Sequence, residues 1–255
     1  TYSPSGPVTS PTTTTNYTVA GSDANGCIGI ITNTITVIPL PTITVNSGTI
    51  CAGNNFTLTA SGANTYTYSS GSTVVSPNTT TNYTITGTDA NGCVNSNSDT
   101  VTVNSLPNVT AIINTATICT NSTDTINATG ATSYVWSNNA SSATTASVSI
   151  TPSSSDTYTV IGTDGNGCTN TAMVSVTVNN LPNVTAGINT ATVCKNATDT
   201  IFATGAATYV WSSNASSATT ASVSITPSAN DTYTVTGTDA NGCINTSMVS
   251  VSVMT

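Results

Sequence analysis

A short turn that ends in cysteine recurs four times in this chain and limits what it can fold into. Asp-(Ala or Gly)-Asn-Gly-Cys stands at 23–27, 89–93, 164–168 and 239–243. Asn-Gly between alternating apolar and polar residues is the strongest short-range hairpin signal, because a type I′ turn needs positive φ at both central positions. Each copy therefore predicts a β-hairpin whose aspartate, such as Asp164, caps the turn through hydrogen bonds to the backbone.

The residues between the turns alternate in a way that is typical of half-buried β-strands. Val and Ile recur at every second position among Thr and Ser, as at Ala146, Val148 and Ile150. Each repeat has about six or seven such short stretches, separated by frequent turn signals. This pattern predicts an all-β protein made of tandem immunoglobulin-like β-sandwich repeats arranged end to end.

Leu-Pro pairs at 40–41, 106–107 and 181–182 mark the repeat boundaries together with the turn cysteines. The chain has neither a starting Met nor a signal peptide, so we expect a processed product or an internal part of something longer. The predicted organisation is the C-terminal part of a truncated repeat at 1–38 and complete immunoglobulin-like repeats at 39–104, 105–179 and 180–255.

Charged side chains are almost absent. The chain has nine Asp and one Lys (Lys195) but no Glu, Arg or His, for a formal net charge of −8. Such a surface cannot neutralise phosphates, which excludes nucleic-acid binding and a basic membrane-surface patch. No apolar run is long enough to span a bilayer. The usual catalytic acids, bases and nucleophile activators are missing, so we expect neither enzyme activity nor a cofactor.

We also expect no metal site. No Cys-x-x-Cys pair or His is present to ligate zinc. Asp-x-Asn-Gly resembles half of a calcium-binding loop, but such a loop needs further acidic ligands and a closing Glu. Turn capping is the favoured role of these aspartates, and calcium bound between adjacent repeats at Asp99 or Asp124 stays open as an alternative.

The chain has seven cysteines, which predict a disulfide framework and hence an oxidising, extracellular compartment. We expect Cys27 to be unpaired by truncation, because its partner would precede Thr1. Bonds between repeats, such as Cys93–Cys119, stay open, because connectivity cannot be read from sequence. The favoured bonds each lie within one complete repeat: Cys51–Cys93, Cys119–Cys168 and Cys194–Cys243.

Each aromatic residue has either a core role or a surface role in the predicted sandwiches. Trp136 and Trp211 stand in the third strand of a predicted sandwich, where a Trp more often fills the core than stacks on a sugar. Tyr68 takes their place in the repeat 39–104. Phe202 is predicted to point outward, where a weak contact to a neighbouring repeat or filament is the alternative to a lone exposed ring.

Three stretches carry a resemblance to a known family. They are "SITPSANDTYTVTGTDANGCINTSMVSVSV" at 224–253, "LPNVTAGINTATVCKNATDTIFATG" at 181–205 and "YVWS" at 209–212. They resemble the PKD-like or Ig-like tandem repeats of Bacteroidota giant surface adhesins of the gliding type, and the resemblance covers the whole chain. It implies a β-sandwich fold, an extracellular location at the cell surface and export by type IX secretion. The C-terminal export domain of that family is not present in this sequence.

The resemblance also implies a modification and a set of partners. Bacteroidota attach O-glycans at Asp-Ser/Thr followed by an apolar residue, and Thr100, Thr125 and Thr200 fit that pattern. A plain threonine at a strand start is the alternative at each position. The expected partners are neighbouring repeats of the same polypeptide, lateral copies in a filament and surface glycans.

These observations lead to one favoured hypothesis and one alternative. The favoured hypothesis is the structural repeat region of an extracellular adhesin stalk or surface filament, in which Pro at each Leu-Pro junction stiffens the join between repeats. The alternative is a set of glycan-binding or spacer modules of a secreted multidomain enzyme.

Overall fold

The computed structural model describes residues 2–3 and 9–254, and it confirms the all-β prediction. Two short 3-10 helices, Asn138–Ala140 and Ser213–Ala215, are the helical segments of that part of the chain. Nothing helical there is both long and apolar enough to cross a membrane. The chain divides into two compact units, Thr1–Leu106 and Pro107–Thr255, and their boundary in the sequence falls within a Leu-Pro pair.

The first unit begins with a three-stranded antiparallel sheet. Val19 and Ile35 of its hairpin are exposed, whereas Ile85 and Val101, which take the same places in the next repeat, are 0% and 1% exposed. The difference arises because the hairpin has no second sheet packed on it among the described residues. Its strands are β1 (Tyr2–Ser3), β2 (Thr15–Ser22) and β3 (Ile28–Ile35).

The same unit continues with a sandwich built from eight strands. Its main sheet has four strands in the order β5-β11-β10-β8, and two small pairs, β4-β7 and β6-β9, lie beside it. Leu58, Val75 and Val101 form the core, and Tyr68 packs against them. The strands are β4 (Thr44–Val45), β5 (Gly48–Cys51), β6 (Phe56–Thr57), β7 (Ala60–Ser61), β8 (Thr65–Tyr68), β9 (Val74–Val75), β10 (Thr81–Thr88) and β11 (Val94–Asn104).

The second unit contains two sandwiches of the same design. In the first, a three-stranded sheet β12-β14-β16 faces a four-stranded sheet β13-β18-β17-β15, and β13 runs parallel to β18. This division of one early segment between two sheets is the immunoglobulin-like arrangement that the alternation predicted. The strands are β12 (Thr110–Ile113), β13 (Thr117–Cys119), β14 (Asp124–Thr129), β15 (Ser133–Trp136), β16 (Ser147–Ile150), β17 (Asp156–Thr163) and β18 (Thr169–Asn179).

The second sandwich of this unit repeats that topology strand by strand. Its sheets are β19-β21-β23 and β20-β25-β24-β22, with β20 parallel to β25. The strands are β19 (Thr185–Ile188), β20 (Thr192–Cys194), β21 (Asp199–Thr204), β22 (Thr208–Trp211), β23 (Ser222–Ile225), β24 (Asp231–Thr238) and β25 (Ile244–Met254).

Each sandwich of the second unit has its own core, centred on a tryptophan. Trp136 and Trp211 are 2% and 1% exposed, which confirms that they fill the core. The indole Nε1 of Trp136 donates to the Thr145 carbonyl and that of Trp211 to the Thr220 carbonyl, both at 3.0 Å. The buried rings therefore keep a partner for their one polar atom.

In each sandwich a glycine, directly after β7, β14 or β21, closes the turn against the segment that enters the repeat. Gly130 has φ +90°, and a Cβ there would lie 1.9 Å from the carbonyl oxygen of Asn108. Next to it, the Tyr134 hydroxyl accepts from the Ala131 amide and donates to the Ala131 carbonyl. These contacts fix the end of the sandwich at which the chain enters.

We expect Gly130→Ala to lower the free energy of unfolding by about 2–4 kcal/mol, because an added Cβ meets backbone in a left-handed conformation. Gly165→Ala is the matched control. Nothing lies within 4 Å of a Cβ at Gly165, and the other three turns carry Ala there. Gly165→Ala should stabilise by about 0.4–1 kcal/mol through the unfolded chain. Urea unfolding measures both, and equal effects would contradict this account.

Candidate functional site: the covalent junction between repeats

The cysteine turn is held together by its aspartate. Asp239 Oδ1 accepts hydrogen bonds from the Asn241 and Cys243 amides, both at 2.8 Å. The Asp239 amide in turn donates to the Cys243 carbonyl at 2.9 Å. The Oδ1 atoms of Asp23, Asp89 and Asp164 accept the same two amide bonds at 2.8–2.9 Å, and their own amides donate to the turn-cysteine carbonyls at 2.9–3.0 Å. The predicted aspartate caps are therefore confirmed in all four turns.

The type of turn differs from the prediction. Gly242 has φ +82°, but none of the turn asparagines has positive φ. The Gly242 amide donates to the Asp239 carbonyl at 3.2 Å. This pattern is a four-residue turn followed by a left-handed glycine bulge, not a type I′ turn. The reason is the aspartate cap: its bonds to residues two and four positions later hold Asn241 at negative φ and leave the left-handed step to glycine.

The disulfide pairing also differs from the prediction. Cys119 is bonded to Cys243, with 5.5 Å between their Cα atoms. Cys51 and Cys168 are disulfide-bonded as well. The free cysteines are Cys27, Cys93 and Cys194. The predicted bonds Cys51–Cys93, Cys119–Cys168 and Cys194–Cys243 are therefore wrong, and a bond between successive repeats, kept above as an alternative, takes their place.

Strand length explains why no bond forms within a repeat. Cys243 immediately precedes β25, whereas Cys194 lies beside Met254 at the far end of that strand. An eleven-residue strand spans roughly 35 Å, but a disulfide requires Cα atoms closer than about 7 Å. The turn cysteine and the strand cysteine of one repeat therefore lie at opposite ends of its sandwich. Cys168 and Cys119 have the same relation along β18.

Two covalent connections consequently cross the junction inside the second unit. One is the backbone at 180–182, and the other is Cys119–Cys243. The backbone connection is fastened to β25 as well, because the Asn245 side chain donates to the carbonyl of the buried Pro182 at 3.0 Å. The bonded Cys243 is completely buried, whereas the free turn cysteine Cys27 is exposed.

The carboxylates serve the backbone rather than a metal. Asp124 is buried, with Oδ1 accepting from the Thr125 amide at 2.7 Å and Oδ2 from the Thr115 amide at 3.0 Å. Asp99 accepts from the Thr100 amide at 2.7 Å. Within residues 2–3 and 9–254 no group of three or more His, Cys, Asp or Glu side chains could hold a metal ion. Every aspartate accepts at least one backbone N–H bond: Asp23, Asp89, Asp99, Asp124, Asp156, Asp164, Asp199, Asp231 and Asp239.

The three candidate glycosylation residues do not occupy one common position. Thr125 and Thr200 lie in equivalent strands, β14 and β21, and Thr100 lies in β11, the last strand of its repeat. All three are half-buried. Each donates its amide to the aspartate before it at 2.7 Å. Their modification stays a prediction.

Phe202 points outward as predicted and is 40% exposed. Its ring lies over Gly187 on the neighbouring strand, where a Cβ would come within 2.4 Å of the ring. The ring thus replaces a missing side chain on its own sheet, and a contact to another repeat stays a prediction.

Two core tyrosines, Tyr158 and Tyr233, have raised pKa values. Burial raises the pKa of the Tyr158 phenol above its ordinary value, and the nearby Asp156 carboxylate raises it further. Burial and the Asp231 carboxylate do the same for the pKa of Tyr233. Because the neutral phenol is the favoured form in the fold, these pKa values affect stability only in alkaline solution.

Comparisons with known proteins leave the family open. No family model matches the chain, and no curated protein matches it. Among solved structures, a Ca2+-stabilized adhesin that helps an Antarctic bacterium bind ice is 17% identical over 95% of this chain and 82% of its own, with a TM-score of 0.34. The ICAM-5 D1–D4 ectodomain fragment is 13% identical over 95% of this chain and 84% of its own, with a TM-score of 0.47. Likenesses at this level carry no argument about function.

We expect Cys243→Ser to lower the stability of the second unit by up to about 5 kcal/mol, because it removes the closure of a long loop in the unfolded chain. Cys194→Ser, which removes a free thiol, should change stability by less than about 0.5 kcal/mol. Denaturant unfolding measures both.

Cleavage before aspartate supplies the covalent check on the wild-type chain. Without reduction, fragment 99–123 should stay joined to fragment 239–255. Fragment 99–123 joined to 164–198 instead would restore the pairing within a repeat and contradict the junction.

Alkaline pH should weaken the fold through Tyr158 and Tyr233. Their folded-state pKa lies above the unfolded value of about 10, so their contribution is fully present below that pH and is lost as the pH rises through the folded pKa. Phenolate absorbance should show two late-titrating tyrosines. Tyr158→Phe combined with Tyr233→Phe should abolish the late phase, and the urea-unfolded chain should lack it. A late phase that survives in the double variant would contradict the assignment.

Proposed function

We propose that this chain is the structural, load-bearing repeat region of an extracellular adhesin stalk or surface filament. The observation that carries the proposal is the Cys119–Cys243 bond, which joins the end of one sandwich to the beginning of the next. A disulfide in this position does not cross the core of either sandwich, so each core is stabilised by packing. The disulfide instead adds a second covalent connection between successive repeats.

The second path changes how a junction responds to bending and twist. A single backbone connection lets two domains rotate about its free φ and ψ angles. The disulfide lies beside the backbone connection, because Cys119 is the sheet partner of Asn179. A second covalent connection restricts this rotation, and the chain at the backbone connection is itself held by the bond between Asn245 and Pro182. The junction inside the second unit is thus built to transmit orientation as well as tension.

The second path also shields most of two repeats from tension. When the second unit is pulled between residues 107 and 255, tension passes from Cys119 directly to Cys243, and the residues between them stay inside a closed loop. The strands β14 to β24 can then unfold without lengthening the stalk. A surface fibre with this property keeps its length when single repeats fail.

The composition suits exposure outside a cell. A net charge of −8 favours solubility, and the single Lys195 leaves almost no site for trypsin-like proteases. The disulfide bonds require an oxidising compartment. These features support the extracellular, cell-surface location in the proposal.

The finer identity follows from the resemblance described above. We place the chain among the PKD-like or Ig-like repeats of Bacteroidota gliding-type surface adhesins, with type IX secretion as its export route and O-glycans on Thr100, Thr125 and Thr200. Neighbouring repeats, lateral copies and surface glycans are its proposed partners. The glycan-binding or spacer alternative is less favoured, because Trp136 and Trp211 are buried and present no face to a sugar.

Single-molecule pulling tests the load-bearing proposal. With handles on residues 107 and 255 of the full chain, complete unfolding should lengthen the oxidised wild type by roughly 400 Å less than Cys243→Ser, because the closed loop spans 124 residues. Cys194→Ser is the control and should behave as the wild type. Equal lengths for wild type and Cys243→Ser would show that the bond carries no tension and would overturn the proposal.

A further inference from the structure

A polar cavity of about 280 Å³ opens on one side of the sandwich in repeat 105–179. It lies between the segment that follows Trp136 and the loop that joins β16 to β17. Its volume is close to the lower limit for small-molecule pockets, about 300 Å³, so it is sized for one small ligand. Asn139, Asp156 and Tyr158 line it, together with five hydroxyl side chains: Ser141, Ser149, Thr151, Ser153 and Ser154.

The Tyr158 hydroxyl is an unpartnered polar group in the wall of this cavity. Tyr158 is 2% exposed, yet its hydroxyl makes no hydrogen bond to any other residue that the structure describes. Tyr134, another buried tyrosine of the same sandwich, accepts from the Ala131 amide and donates to the Ala131 carbonyl. The Tyr158 hydroxyl therefore keeps its donor and its acceptor capacity for whatever fills the cavity.

Asp156 places an acceptor beside that donor. Its Oδ1 accepts from the Thr157 amide at 2.7 Å, and its Oδ2 accepts from the Asn139 side chain at 2.9 Å. The carboxylate is close enough to the Tyr158 phenol to raise the pKa of that group. Because each carboxylate oxygen can accept more than one hydrogen bond, Asp156 keeps accepting capacity toward the cavity. A phenol and a carboxylate side by side match one ligand hydroxyl, which accepts from the first and donates to the second.

The segment after Trp136 is held in place by its own hydrogen bonds. The Asn139 side chain also donates to the Thr157 carbonyl at 3.0 Å, and the Ser137 hydroxyl donates to Asn139 Oδ1. The next two residues, Ser141 and Ser142, have φ of 59° and 50°, a backbone conformation that side-chain-bearing residues seldom adopt. The wall of the cavity is thus already formed by the protein itself, which lowers the cost of binding a ligand.

The last repeat carries the same arrangement. Tyr233 is 2% exposed, and its hydroxyl also has no hydrogen-bond partner among the described residues. The Asn214 side chain donates to Asp231 Oδ1 at 3.0 Å. Ser216 and Ser217 again have positive φ, 60° and 51°. One lining hydroxyl is lost there, because Ala229 takes the place of Ser154.

The repeat 39–104 lacks the arrangement and supplies an internal comparison. Thr81 stands where the later repeats have Asp156 and Asp231. No 3-10 helix follows Tyr68 in this fully described repeat. Tyr83, which takes the place of Tyr158 and Tyr233, is half-buried.

The lining restricts the chemistry of the ligand. An anion would meet the Asp156 carboxylate in a chain of net charge −8. An apolar ligand would leave the lining hydroxyls without partners. A neutral molecule with several hydroxyl groups meets neither penalty, because its hydroxyls can donate to the carboxylate and accept from the phenol and the serines. Sugar residues have this chemistry.

We propose that the cavity lined by Asn139, Asp156 and Tyr158 binds one sugar residue of a surface glycan, and that the equivalent residues of the last repeat form a second such site. The proposal rests on the surface glycans named above as partners and gives them a place on the repeat. Recognition uses hydrogen bonds without an aromatic face, so each site is weak, with a Kd of about 1–10 mM. Sites repeated along a stalk act together on a glycan-covered surface through multivalency.

Tyrosine NMR on the full chain tests the proposal. The nine tyrosines are labelled with 13C in their rings, and the signals of Tyr83, Tyr158 and Tyr233 are assigned from the three Tyr→Phe variants. The probes are the methyl glycosides of glucose, galactose and mannose, each added up to about 100 mM, about ten times the highest expected Kd. Calcium chloride without sugar is a separate arm.

We expect at least one glycoside to shift the Tyr158 and Tyr233 signals saturably and to leave the Tyr83 signal in place. No shift with any glycoside would overturn the proposal. So would an equal shift of Tyr83, which would be a general solvent effect, or a response to calcium alone, which would make the cavity a cation site. The pulling result depends on none of these outcomes.

Asp156→Asn tests the carboxylate while the last repeat serves as the control within the same molecule. It should weaken the Tyr158 response more than about tenfold, because a charged acceptor is lost, and leave the Tyr233 response unchanged. An undiminished Tyr158 response would contradict the proposed site. A variant that unfolds its repeat would move the Tyr158 signal before sugar is added, and Asp231→Asn, measured through Tyr233, then decides.

Discussion

The length of the last strand in each repeat decides how the repeats are joined. The strands β18 and β25 each run eleven residues from just after the turn cysteine. The strand cysteine is placed beside the far end by a short parallel pairing, Cys119 opposite Asn179 and Cys194 opposite Met254. Two thiols of one repeat are therefore separated by the full length of the sandwich, and each can meet only a thiol at a junction.

The nearly uncharged composition of the chain determines how its aspartates are used. With nine carboxylates and one cation, the chain cannot balance its acids in ion pairs. Each aspartate instead accepts hydrogen bonds from backbone N–H groups. Buried Asp124 and Asp199 accept with both carboxylate oxygens. Asp124 thereby joins the loop before β13 to β14, and Asp199 joins the loop before β20 to β21. Acidic residues thus act as structural connectors in a chain with few long side chains.

Features that depend on neighbouring residues could be predicted from the sequence, and features that depend on distant pairing could not. Alternation gave the strands, and the turn motif gave the hairpins and their caps. The tryptophans followed from their place in the third strand. The cysteine pairing failed because β13 and β20 are three-residue strands whose parallel partners lie about 60 residues later. The sequence does contain one signal, which is the equal interval from each turn cysteine to the following Leu-Pro pair: Cys27 to Leu40, Cys93 to Leu106 and Cys168 to Leu181.

The first hairpin shows which features of a repeat form from local hydrogen bonds alone and which require a complete sandwich. Its turn keeps both aspartate bonds although Val19 and Ile35 lack a facing sheet among the described residues. The turn cysteine is therefore positioned by the residues of its own turn, 23–27, whereas the strand cysteine requires a closed sandwich. A junction bond between such groups forms only when the earlier of the two repeats has folded correctly. Formation of the disulfide to the next repeat therefore depends on the folding of the earlier repeat.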